Sequence, residues 1–322
     1  MMSLRSAALL AAIAVVGSSA VGQEAPAPPP TPRLGDLIQQ LKDPDWNTRM
    51  DAATTIGTLG PLAKPAIPNL VEALNDPVAP VRMKAIDALM LLGTWSAEAS
   101  PRIVPLLEDP DERVRLSAVV ALPRVTPDQE STVPLLKKAL GDKAWSVRRR
   151  AAIELIHQGA EVPAALPVAR EGLKDPIPSD RLDVIVTLAR VAAPAERKAL
   201  AAMAGEYLDV PDFQLARQAA GALAGFGADG VPSLVRVLQA GRAAPVVLVA
   251  AFRALARIGP EAREALPALQ QLKQREGVMW LRGAETTIAA IEGRQPPPME
   301  SYQRRGPPPA APTPVPRPSP QH

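Results

Sequence analysis

Arginines stand at positions 49, 82, 115, 148 and 181, each 33 residues after the last, and six residues before each stands an aspartate. The pairs are Asp43 and Arg49, Asp76 and Arg82, Asp109 and Arg115, Asp142 and Arg148, and Asp175 and Arg181. Glycines at 60, 93 and 159 and prolines at 68, 101, 134 and 167 keep the same register. This is an internal repeat, and a unit this short cannot bury its apolar surface alone, so neighbouring units must stack. The period continues with slips. Gly227, Gly259 and Gly293 mark three further unit ends, Ala216 and Leu248 occupy the arginine position in units six and seven, and Glu276 and Arg282 restore the spacing in unit eight. Asp209 and Arg217 read as a slipped pair in unit six. Eight units then fill residues 33–293.

Each unit converts to two helices. Proline at the start of the first helix is favoured because its fixed φ suits the first turn and its missing N–H is not needed there. A short apolar run follows, as in Ile67–Leu74. Asp-Pro then places an aspartate to cap the second helix and a proline to start it. The second helix carries apolar residues at helical spacing, such as Val81, Ala85, Leu89 and Leu92, and glycine ends it in a left-handed turn. Alanine at 52, 85, 118 and 151 leaves room for close helix approach. Aromatics are only 3% of the chain, which suits packed helices better than a sheet. The expected fold is an all-α, right-handed solenoid of eight helix pairs, roughly 80 Å long at about 10 Å per layer.

The run Leu107 to Leu122, with Asp109-Pro110 and Val114-Arg115, resembles the HEAT repeat, and the short unit is similar to the HEAT-like class named after phycobilisome lyases. Ankyrin repeats share the period, but their Thr-Pro-Leu-His-x-Ala string is missing here. The resemblance implies an α-solenoid and a binding surface. It also admits a rival, a HEAT-like enzyme or chromophore lyase. Among HEAT-like relatives, di-iron hydroxylases use repeated His-Glu pairs, whereas His157 here precedes Gln158.

The two ends read differently from the body. Arg5, the apolar stretch Ala7–Val16 and the small residues Ser18-Ser19-Ala20 read as a signal peptide over residues 1–20. Ten apolar residues are too few to span a bilayer, which needs roughly 20. A proline-rich linker follows over residues 21–32, and residues 294–322 form a proline-rich tail expected to be extended and disordered. The expected location is therefore extracytoplasmic, periplasmic or secreted. The net charge of +3 sits in the termini: Arg5 contributes +1, and Arg294, Arg304, Arg305 and Arg317 against Glu300 contribute +3, leaving the body, counted over residues 21–293, near −1. A nucleic-acid-binding body is not supported.

No cysteine is present, which removes thiolate catalysis and Cys-ligated metals, and only His157 and His322 are histidine. Gly225-Phe-Gly227-Ala-Asp-Gly230 matches G-x-G-x-x-G, but it follows a helical run and no acidic residue stands about 20 positions on, so it reads as a helix end and its turn. The Asp–Arg ladder reads as structural, since a residue present in nearly every unit serves stacking. No catalytic, cofactor-binding or metal-binding residue is assigned. The candidate partner site is Trp145, Arg149 and Arg150 in the basic unit four, with Trp46 three periods earlier. The double arginine departs from the repeat, and aromatics beside arginines are what binding hot spots use. The sequence thus points to a non-catalytic exported scaffold that binds a protein or acidic polymer.

Overall fold

The computed structural model describes residues 33–126, 128–240, 243–274 and 278–296. The expected signal peptide, the linker up to residue 32 and the tail from residue 297 lie outside them. Among the described residues sixteen α-helices, with short 3-10 turns between some of them, follow one another with no strand. They pair in sequence: α1 (Leu34–Gln40) with α2 (Trp46–Thr58), α3 (Ile67–Ala73) with α4 (Ala79–Leu92), and α5 (Ser100–Ile103) with α6 (Glu112–Val125). Next come α7 (Val133–Ala139) with α8 (Trp145–Gln158), α9 (Val162–Glu171) with α10 (Pro178–Ala189), and α11 (Pro194–Glu206) with α12 (Phe213–Gly225). The last pairs are α13 (Val231–Ala240) with α14 (Pro245–Ile258), and α15 (Leu266–Gln274) with α16 (Val278–Glu292). The fold is an all-α solenoid.

The repeated aspartate works one step earlier than the sequence suggests. Instead of capping the second helix, its carboxylate accepts the backbone N–H two residues on: Asp43 from Asp45, Asp76 from Val78, Asp109 from Asp111, Asp142 from Ala144 and Asp175 from Ile177, at 2.7 to 2.9 Å. Proline follows four of these aspartates and has no N–H, so the first donor in reach lies two residues away. The helix starts after this turn. Asp45 and Asp111 are the N-caps of α2 and α6, accepting from Asn47 and Arg113.

Unit five also departs from expectation at its first helix. Pro167 lies inside α9, which starts a turn earlier with Pro163, behind Glu161 at φ 49°. The six glycines that mark unit ends, from Gly60 to Gly293, all have positive φ, between 55° and 69°, where a side chain would be strained.

Alanines 52, 85, 118 and 151 are fully packed. On α2, a Cβ at Gly57 would stand 3.0 Å from the Cα of Ala88 on α4, which shows how closely second helices meet. They stack α2–α4–α6–α8 and again α12–α14–α16. Between these runs α10 meets α8 and α12 only thinly, and α8 and α10 lean instead on the first helices α9 and α11. No helix among the described residues is long and apolar enough to cross a membrane.

Candidate functional site

The ladder forms one edge of the stack, at the turns between paired helices. Arg49 places Nε and Nη2 on the Asp76 carboxylate at 2.7 and 3.0 Å, Arg82 on Asp109 at 2.8 and 2.8 Å, and Arg115 on Asp142 at 2.8 and 2.9 Å. Each also donates Nη1 to the carbonyl of its own unit's aspartate, at 2.7 to 2.9 Å. The guanidinium fork therefore staples its own turn to the next unit's carboxylate, a bidentate geometry that lysine cannot supply. Burial alone would raise the carboxyls of Asp76 and Asp142. The paired arginine and the backbone N–H outweigh it and hold both below the usual range. The half-buried Asp111 is pulled further, to about 2, chiefly by Arg113.

Unit four changes the rung. Arg148 keeps the carbonyls of Asp142 and Lys143 and lies over the Trp145 ring. The Asp175 carboxylate instead accepts the Trp145 indole Nε1–H at 2.8 Å, with Arg149 Nε 3.5 Å away. Arg181 follows with a bond to the Tyr207 hydroxyl and one to the Asp175 carbonyl at 2.8 Å. Asp209 and Arg217 do not form the slipped rung: Asp209 pairs with Arg236, and Arg217 reaches Gln214.

These contacts tie Trp145, Arg149 and Arg150 of the sequence-derived partner site into the stack. Arg149 is buried, and its Nη2 donates to Asp180 at 2.6 Å. Arg150 donates to Glu154 at 2.6 Å and reaches Asp183 at 3.4 Å. The double arginine does serve stacking, because Asp180 and Asp183 stand on the first turns of α10 in the next unit, while Glu154 lies one turn further along α8. Trp145 is tied to Asp175, and of the four candidate residues only Trp46 is exposed, at 39%. Phe213, 56% exposed, occupies the same first-turn position in unit six, directly after the N-cap Asp212. Trp145→Phe should keep the ring over which Arg148 lies and remove one donor from a buried carboxylate. We expect a loss of about 2 kcal/mol, read by urea denaturation followed by circular dichroism. An unchanged midpoint would contradict the shared rung.

The outward side of the second helices is the other large surface. In unit four Arg150 on α8 faces the carboxylates of Glu154 and Asp183. Units six and seven differ. Arg217 on α12 and Arg253 and Arg257 on α14 are exposed, and neither helix contains an aspartate or glutamate. Among the described residues no three His, Cys, Asp or Glu side chains gather as a metal site would need.

A family model described as HEAT repeats matches residues 34–123 and 91–157. The chain carries HEAT repeats over residues 34–157. No curated protein matches it by sequence. Among solved structures, the HEAT solenoid is similar to the complex of CpcE and CpcF of phycocyanin lyase from Nostoc sp. PCC7120. The identity is 20% and the TM-score 0.52, over 79% of this chain and 100% of that one. It is also similar to YibA of Escherichia coli, at 17% identity and a TM-score of 0.51, over 80% of this chain and 92% of that one. Identities this low speak for the fold alone.

Proposed function

We propose that this chain is a non-catalytic, exported scaffold that holds a protein partner on the outward face of its second helices. The observation that carries the reading is the charge of that face in units six and seven. Arg217, Arg253 and Arg257 are exposed on two adjoining helices that hold no carboxylate. The ladder uses arginine to join units, but these three lie off the ladder register, so stacking does not explain them. Uncompensated like charge on neighbouring helices opposes folding slightly and favours an oppositely charged partner. The lyase alternative draws on fold likeness only, and no group of residues here favours it.

The test is capture on the purified chain from an envelope extract, followed by reconstitution of the recovered protein with the pure chain and titration calorimetry. A saturable complex that weakens with salt is expected. Failure to reconstitute any complex would overturn the scaffold reading. N-terminal sequencing of the exported chain should begin near Val21, and an intact Met1 on cytoplasmic protein would contradict export.

A further inference from the structure

Where α10 parts from α12, the second-helix side opens into a cleft of about 640 Å³. Three arginines surround it: Arg190 at the end of α10, Arg197 on α11 and Arg257 in the last turn of α14. Its floor is the bare backbone of α12 at Gly221 and Gly225, where an added Cβ would meet nothing within 4 Å. Phe226 closes one wall.

The three cations are held differently. Arg197 spans the cleft edge, with Nη2 donating to the Gly225 carbonyl at 3.2 Å and Nε 3.5 Å from the Asp229 carboxylate. That Nε is buried and has no hydrogen-bond acceptor. Arg190 and Arg257 are exposed, and neither side chain has an ion pair or hydrogen bond within the described structure. The C-terminal ends of α10 and α14 lie beside them, but a helix end offers only about half a negative charge, which leaves each cation largely uncompensated. The acids nearby are already engaged: Asp183 with Arg150, Asp229 with Arg197, and Glu261 with the Ala228 N–H at 3.2 Å.

We infer that this cleft docks an acidic, Asp- or Glu-rich segment of the partner protein, which deepens the scaffold reading and rests on it. Carboxylates would meet Arg190 and Arg257, and the segment's backbone would lie against the glycine floor, where no side chain of this chain stands in the way. Cavities of this size suit a few residues. A nucleic acid fits less well, because phosphate tracking needs an extended cationic surface and the body as a whole is near −1. The chain's own tail has the wrong sign, with Arg304, Arg305 and Arg317 against Glu300.

The test uses the full chain and a short labelled peptide of alternating Glu and Ala, beside its Gln-for-Glu counterpart and a single-stranded oligonucleotide of equal charge. Wild type should bind the Glu peptide over both others, less tightly as salt rises. Arg190→Ser with Arg257→Ser, which removes no internal contact, should weaken binding about tenfold. Gly221→Leu should weaken it as well by filling the floor with both cations retained, whereas Arg113→Ser, far along the stack on α6, should not. Equal affinity in the double variant, no preference for Glu over Gln, or preference for the oligonucleotide overturns the cleft assignment. A reconstituted partner that binds wild type and double variant alike removes the cleft and leaves the scaffold standing. Peptide binding at the cleft with no reconstitutable partner removes the scaffold and leaves the cleft.

Discussion

Arg115→Ala should cost about 3 kcal/mol of stability at neutral pH, the low end for breaking a buried ion pair. The side chain is 3% exposed and makes four hydrogen bonds: two to Asp142, one to the Asp109 carbonyl at 2.9 Å and one to the Pro110 carbonyl at 3.3 Å. Truncation leaves the Asp142 carboxylate, itself 11% exposed, with only the Ala144 N–H. Arg115→Lys keeps the charge without the fork, so it should recover part of the loss. The penalty should also depend on pH. The Asp142 carboxyl is held below its ordinary value of 3.8, so its contribution is present above that value and is lost as pH falls through the lower, folded-state value. Wild type and variant should therefore converge in acid. Chemical denaturation at neutral pH and near pH 3 checks both claims, and a gap that persists unchanged in acid would mean the pair is not the cause. Loss of stability with peptide binding at the cleft intact would separate the ladder from the binding surface.

The ladder was legible because register is arithmetic: the same pair at a fixed step needs the same place in every unit. The glycine ends were legible because a helix stop has a local chemical signature. What could not be read was the partner of each arginine. The bridge runs 27 residues forward, from Arg49 to Asp76 and from Arg82 to Asp109, and that depends on how one unit rotates onto the next. For the same reason Arg149 looked surplus within unit four. Its acids, Asp175 and Asp180, belong to unit five and become visible only when the two are stacked. Phe213 escaped because unit six has slipped out of register, although Asp212-Phe213 repeats the order of Asp45-Trp46 and could have flagged it. The cleft was hidden more deeply. It is drawn from three units and is defined by what Gly221 and Gly225 lack.

Gly230→Ala should destabilise units six and seven by about 3 kcal/mol, near the upper range for overpacking. This is the last glycine of the G-x-G-x-x-G string, and its neighbours there act differently. Gly227 needs a positive φ of 61° to leave α12, and Gly225 sits bare over the cleft. Gly230 has no unusual φ, so space is its constraint. An added Cβ would lie 2.2 Å from the Leu223 carbonyl oxygen and 3.0 Å from its carbon. Both are backbone atoms in the last turn of α12, so no rotamer change relieves the collision, and carbon atoms at contact normally stand about 3.5 Å or more apart. The same carbonyl accepts the Phe226 N–H at 3.1 Å, which closes the helix end, and Leu223 is fully buried. Moving it apart would open that bond and shift a core residue together. Gly221→Ala is the matched control, on α12 itself. Its Cβ meets nothing within 4 Å, and alanine is the better helix former by about 0.5–1 kcal/mol, so this variant should be slightly more stable than wild type. Urea denaturation of the two single-methyl variants should therefore move in opposite directions. If Gly230→Ala melts with wild type, the turn after α12 is looser than the packing of Leu223 against it implies.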